Sequence, residues 1–232
     1  MKVISHEDMP QNSEQWLEWR RPNIGGSNTK DIKPLSRGPL KGLPEGSAGF
    51  WRLTSGKISI QKDGEPDMER GHRMEAENLL LTNEKLGLKM VQIGAWISEY
   101  SDYIYISPDA GDYGDKPVHA FESKAFDTHK HLNIIWNDIQ AKKKDDYNPL
   151  LSLPSDNQDQ AVKYFNVAPT LEYLHWSMLN ELVAYDFMEH YIITIKREDV
   201  EELLDAQREI ELAALKRRDE VIDELIKELS PK

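Results

Sequence analysis

Residues 103–126 read YIYISPDAGDYGDKPVHAFESKAF, two apolar runs joined by a turn-rich connection. Tyr103 to Ser107 and Val118 to Phe126 carry the aromatic and β-branched residues that favour strands, and Pro108, Gly111 and Gly114 mark the turns between them. Alternate side chains of a strand share a face, so Glu122 and Lys124 project together while Phe121, Ser123 and Ala125 point the other way. Asp109, at the end of the first run, can meet them at the sheet edge. A carboxylate and an ammonium on a buried strand are costly unless they are paired or serve a metal.

Two readings follow. One is a surface strand with an i,i+2 ion pair. The other is a site in which two carboxylates and a backbone carbonyl hold a hard cation such as Mg²⁺, with the lysine beside an attacking water.

Upstream, Lys89 to Ser98 is a further strand candidate, and Glu69 to Leu86 has a helical pattern ended by Gly87. On that helix Gly71, Glu75 and Leu79 share a face and Glu77 points away. Glu75 is therefore either a third acid aimed inward or one more solvated glutamate. Ser13 is placed to cap a helix over Glu14 to Arg20, with Trp16 and Trp19 at spacing three. Pro22 and Gly25-Gly26 end it, and Ser27 could open a second short helix through Ile32. Residues 33–49, with three prolines, read as loop, and a helix is expected over Ala48 to Ser59.

Downstream, His131 to Lys143 reads as helix and 144–158 as exposed loop. A helical pattern follows at Thr170 to Val183, then a strand at Tyr191 to Lys196. Residues 198–229 form one long helical pattern, with Val200, Leu203, Leu204, Ile210, Ala214, Val221, Leu225 and Leu229 on a stripe. The order predicts an α/β domain over 1–197 with a central mixed sheet flanked by helices. A long acidic C-terminal helix at 198–232 would pack on it or mediate association.

The net charge of −12 argues against a polyanionic partner, but its distribution does not. Between Glu198 and Leu229 stand 12 acidic and 5 basic residues, leaving the body of the chain close to balance. The absence of cysteine removes disulfides, thiolate metal sites and cysteine nucleophiles. No apolar run is long enough to span a bilayer, and the N-terminus lacks an apolar signal core, so a cytoplasmic location is expected. There is no G-x-S-x-G elbow and no G-x-x-x-x-G-K-[ST] loop. His129 and His131 read as surface residues, and Lys142-Lys143-Lys144 before Asp145-Asp146 as a solvated turn.

Four short patterns occur in order: W-x-x-W-R-x-x-x-I-G-G-S (Trp16 to Ser27), G-x-x-x-E (Gly71 to Glu75), S-P-D (Ser107 to Asp109) and E-x-K (Glu122 to Lys124). Together they resemble the lambda-exonuclease or YqaJ-type viral recombinase family, part of the restriction-endonuclease-like PD-(D/E)xK superfamily. The resemblance implies that Asp109 and Glu122 bind metal with the Ser123 carbonyl, that Lys124 serves the nucleophilic water, and that Glu75 is an auxiliary acid. Arg20 and Ser27 match positions holding a 5′ phosphate, joined by Ser107, and Lys130 matches a further basic phosphate contact. The implied activity is an Mg²⁺-dependent exonuclease, with Mn²⁺ as the alternative ion, degrading one strand of linear duplex DNA 5′ to 3′. Implied partners are duplex ends, a single-strand annealing protein and identical subunits in a trimeric ring, with no membrane.

The chain departs from the family at Ala110, where glycine is usual, and at Ala125-Phe126, where Cys-Pro is frequent. The family's following helix carries glutamines, and the corresponding stretch here is read at Tyr173 to Tyr185. In it His175 either replaces a glutamine touching the site or packs beside Trp176. An endonuclease with the same site, or a silent end-binding protein on the same fold, are the competing functions.

Overall fold

The computed structural model describes residues 1–26, 29, 32–33, 42–44, 47, 50, 53, 69–126, 128–181, 183 and 186–230. Ser27, and most of the segments 27–32, 33–49 and 48–59, lie outside the described residues.

In chain order the elements are β1 (Lys2–Ile4), α1 (Glu14–Arg20), α2 (Glu69–Leu86), β2 (Ala95–Ile97), β3 (Tyr105–Ile106), β4 (Ala110–Gly111), β5 (His119–Lys124) and α3 (Thr128–Ala141). There follow α4 (Ser155–Val167), β6 (Tyr173–Leu179), α5 (Asp186–Glu189), β7 (His190–Lys196) and α6 (Leu204–Leu229). The strands form a three-stranded sheet β1-β2-β3 and a four-stranded sheet β4-β5-β6-β7. The second is mixed: β5 and β6 run parallel, and its other pairs are antiparallel. Single bridges, Ile24 to Ile104 and Val91 to Gly111, stitch segments onto these sheets. The mixed α/β architecture with a long C-terminal helix is thus present, although the pairing divides the strands between two sheets.

Local chemistry explains the element ends. Ser13, in extended backbone, accepts the Trp16 N–H and starts α1. Gly87 has φ +67° and closes α2, with Leu88 N–H bonded to the Asn83 carbonyl at 2.9 Å, a Schellman ending. β1 lies against Gly94, where a Cβ would stand 2.5 Å from the Ile4 carbonyl oxygen. Only glycine allows that approach.

Three expectations are corrected. His131, read as a surface residue, is buried, with its Nε2 2.7 Å from the Met188 carbonyl oxygen. Thr170 to Val183 is not a helix: Tyr173–Leu179 is β6, between β5 and β7, and Leu174 to Leu179 are all buried. Leu174, Trp176 and Met178 alternate with His175 and Ser177, the period of two of a strand, and the burial of both faces covers the polar positions as well. Conversely, the loop expected over 144–158 gives way to a 3-10 turn at Pro149–Ser152 and then α4, whose residues from Gln160 to Val167 are buried. The polar first turn of α4, Ser155-Asp156-Asn157-Gln158, hides it in the sequence.

The C-terminal segment opens with 3-10 turns at Arg197–Asp199 and Glu201–Leu203 before α6 begins. Leu204, Ala214 and Leu215 of α6 belong to the main core, whereas Leu225, Ile226 and Leu229 are exposed. Among the described residues no helix is long and apolar enough to cross a membrane.

Candidate active site

The register of β5 places the chemistry. Glu122 lies opposite Trp176 and Lys124 opposite Met178, so these four share one sheet face. Lys124 Nζ stands 4.9 Å over the Trp176 ring, which forms an apolar floor under the ammonium. Glu122, only 5% exposed, accepts three hydrogen bonds. Lys124 Nζ donates to Oε1 at 2.6 Å and Gln160 Nε2 to the same oxygen at 2.7 Å, while the Tyr164 hydroxyl donates to Oε2. Asp109 precedes β4, whose Ala110 pairs with Phe121, and this register lets its Oδ2 accept the Ser123 N–H at 2.7 Å. Asp109, Glu122, Ser123 and Lys124 are therefore gathered at one sheet edge.

Their charges do not balance. Burial, then Glu122, then Glu75, push the Asp109 carboxyl well above the usual carboxylate range, against the opposing pull of Lys124 and the Ser123 N–H. For Lys124, burial works to lower its pKa, but Glu122, Asp109 and Glu75 outweigh that, and the net direction is upward. Burial and the same carboxylates hold the Tyr164 hydroxyl protonated, so it remains a donor. Glu75 shares the field of this cluster and lines, with Asp109, a cavity of about 340 Å³ whose walls include Gln11, Asn12 and Gln92. Three carboxylates face one ammonium. Among the described residues no three acidic or imidazole side chains enclose an ion by themselves. The donor set nonetheless fits a hard divalent cation completed by water and main-chain oxygen, because it lacks that positive charge.

On its other side Glu122 lines a second cavity, of about 120 Å³, shared with Arg20, Ser107, Gly25, Gly26 and Gln160. Arg20 Cζ stands 4.8 Å over the Trp16 ring, and the buried Trp16 indole N–H, in the same wall, has no partner among the described residues. At position 25 a Cβ would lie 2.7 Å from the Tyr105 hydroxyl oxygen, so any larger residue would have to displace that ring. The Ser107 hydroxyl donates to the Gly94 carbonyl at 2.6 Å, which leaves its oxygen as an acceptor.

The remaining expected residues fall elsewhere. Lys130 is exposed, its ammonium 4.2 Å over the Phe126 ring, and it lines neither cavity. His175 pairs with Phe121 and Thr194 on the opposite face of the sheet from Glu122. Its Nε2 lies 3.0 Å from His119 Nδ1 and its Nδ1 3.0 Å from Thr194 Oγ1. It does not reach the cluster, because a one-residue step along β6 reverses the face, and Trp176 takes the side toward Lys124. The glutamine that touches Glu122 is Gln160 on α4, a helix the sequence reading missed. The available signal was Gln158 and Gln160 running into the apolar stretch Ala161 to Val167.

Burial, then His119, pull the His175 imidazole down to about 4. A base with a folded pKa below its unfolded value of about 6.5 contributes full stability above that value and loses it as pH falls toward 4. The loss attributable to His175 is expected to reach roughly 3 kcal/mol at pH 4. Urea unfolding at pH 7, 5.5 and 4 should show it, and His175→Gln should flatten the slope. An unchanged slope would overturn the assignment.

No protein-family model matches the chain, and no curated protein matches it in sequence. Solved structures do. An alkaline exonuclease from Laribacter hongkongensis is similar with a TM-score of 0.67 at 15% identity, covering 94% of this chain and 100% of that one. The same enzyme in complex with dAMP gives 0.68 at 16% identity, covering 93% and 97%. A phage-related exonuclease from Haemophilus somnus gives 0.61 at 14%, covering 88% and 96%. The restriction-endonuclease-like fold is therefore shared along nearly the whole chain.

Proposed function

We propose that this chain is a metal-dependent deoxyribonuclease that removes nucleotides from the 5′ ends of linear duplex DNA. The observation that carries the reading is the position of Glu122, which belongs at once to the Asp109–Lys124 cluster and to the cavity lined by Arg20 and Gly26. Such a site suits a strand end held by its terminal phosphate on one side of Glu122 and attacked on the other. The fold shared with exonucleases supports the same reading, as does the mononucleotide bound by one of them.

Asp109 and Glu122, with the Ser123 carbonyl and Glu75 as auxiliary acid, would hold Mg²⁺ or Mn²⁺. When bound, the ion supplies Lewis-acid stabilisation of charge on the phosphodiester and a more acidic water. Gln160 and Tyr164 fix the Glu122 carboxylate in one orientation, so little reorganisation is needed as charge develops. Lys124, held over Trp176, presents an ammonium to the water or the scissile phosphate. Arg20 is suited to a terminal phosphate by its planar, permanently charged fork. The partners on this reading are duplex ends, a single-strand annealing protein and copies of this chain in a ring, in the cytoplasm of the cell that holds the DNA.

Linear duplex labelled at either end, beside a covalently closed circle, with and without Mg²⁺, tests the proposal. Mg²⁺-dependent loss from 5′ ends with the circle spared supports it. Cutting of the circle would move the assignment to an endonuclease, and end binding without cleavage to a silent binding protein.

Arg20→Ala is expected to raise KM for 5′-phosphorylated ends by about 10- to 100-fold, the effect of one charge-assisted contact. Ends carrying a 5′ hydroxyl should change little. Steady-state rates on the two substrates check this, and equal losses on both would remove Arg20 from the phosphate site.

A further inference from the structure

Gln160, Lys163 and Tyr164 are spaced i, i+3, i+4 and share one face of α4. The first and last grip Glu122. Lys163, with its side chain fully buried, turns to the other cavity wall: Nζ donates to the Ile24 carbonyl at 2.6 Å and lies 3.4 Å from that of Gly25. Its counter-charge is Glu211 of α6, equally buried, with Oε1 3.3 Å from Nζ. Glu211 is in turn held by Gln207 at 3.0 Å and the Tyr100 hydroxyl at 3.4 Å. A second tie from α6 reaches the same segment, where Arg218 Nη1 donates to the Pro22 carbonyl at 2.9 Å.

A trans peptide points its N–H opposite to its carbonyl. The Ile24 carbonyl also accepts the Tyr105 N–H at 3.2 Å and the Gly25 carbonyl the Thr29 hydroxyl at 3.0 Å. Among the described residues Lys163 is thus the one charged donor of three that hold these carbonyls, and the N–H groups of Gly25 and Gly26 point away from it. Neither glycine has a side chain to fix its conformation, so this arrangement depends on the groups that hold the carbonyls.

We infer that Lys163, backed by Glu211, is a positioning residue that orients the Gly25 and Gly26 amides toward a terminal phosphate and fixes its spacing from Glu122. The inference rests on the reading of the Arg20-lined cavity as a phosphate pocket. It gives α6, which packs against α4, a part in recognising the DNA end.

Lys163→Met alone would strand the Glu211 carboxylate in the core, so the test is the double variant Lys163→Met with Glu211→Gln, which removes both charges together. Circular dichroism and thermal melting establish that it folds. KM for a 5′-phosphorylated duplex is expected to rise about tenfold, with kcat within about twofold, the effect of one lost positioning hydrogen bond. The preference for 5′-phosphate over 5′-hydroxyl ends should fall by the same factor. A folded double variant that keeps the wild-type preference overturns the inference and leaves the pocket reading standing. A wild-type protein that treats the two ends alike, while still cleaving DNA, overturns both.

Discussion

Asp109→Asn is expected to lower hydrolysis of linear duplex DNA by about three orders of magnitude, the scale of losing a charge that anchors transition-state stabilisation. It should also raise the thermal stability of the metal-free protein. The two effects have one cause. Burial and the neighbouring acids Glu122 and Glu75 hold the Asp109 carboxyl well above its ordinary range. An acid whose folded pKa is raised binds its proton more tightly folded than unfolded, so its contribution to stability falls as pH rises through the folded value. Ionising the group in the folded protein carries a cost that the unfolded chain does not bear, and the amide removes it. Mg²⁺ should offset the same cost, raising Tm of the wild type near pH 7.5 through binding to the folded state. That rise should vanish in Asp109→Asn. Lys124→Ala should lose cleavage to a similar degree yet keep the Mg²⁺-dependent rise, because the ammonium competes with a cation for Glu122. Scanning calorimetry with Mg²⁺ and with chelator separates the two variants. An asparagine variant that cleaves at the wild-type rate would end the proposal for this site.

The sequence was most legible where local pattern and chemistry agree. Alternation placed Glu122 and Lys124 on one face of β5, but the strand that brings Asp109 to the Ser123 N–H is β4 at Ala110–Gly111, since Tyr105–Ile106 pairs in the other sheet. α1 and α2 announced themselves through Ser13 and Gly87. Legibility failed at β6 and α4, where short patterns were read with the wrong period or not at all. Leu174, Trp176 and Met178 alternate with His175 and Ser177 at a strand's period of two, a signal that the helical reading of Thr170 to Val183 passed over. The error carried into the site, since it sent the search for a glutamine to His175 instead of Gln160. Lys163 was also invisible: a lone lysine in an apolar stretch gives no hint that its partner lies 48 positions away on another helix. The acidic tail misled in a similar way. It was expected to pack through an apolar stripe or to mediate association, and nothing in that pattern singled out Glu211 and Arg218 as buried charges.

Glu211→Ala is therefore expected to destabilise the protein by about 3–5 kcal/mol, the cost of leaving a buried ion without its partner. For a chain of this size that corresponds to a fall in Tm of roughly 10 °C. The side chains of Lys163 and Glu211 are both fully buried, so solvent cannot compensate either one alone. Burial pulls the Lys163 ammonium down to about 8, with Glu211 opposing that shift, so the lysine is still charged at neutral pH. Removing both charges should cost far less than the sum of the single losses, because each single variant contains a stranded partner that the double variant lacks. Urea unfolding of the two singles and the double closes the cycle, and additive losses would show that the pair is not coupled. A coupled pair makes α6 part of the folding unit from its first turns to Arg218, since Leu204, Ala214 and Leu215 share the main core with β5 and α4. Beyond Ile222 every apolar residue of the helix, Leu225, Ile226 and Leu229, is exposed, and truncation there should leave both stability and cleavage unchanged.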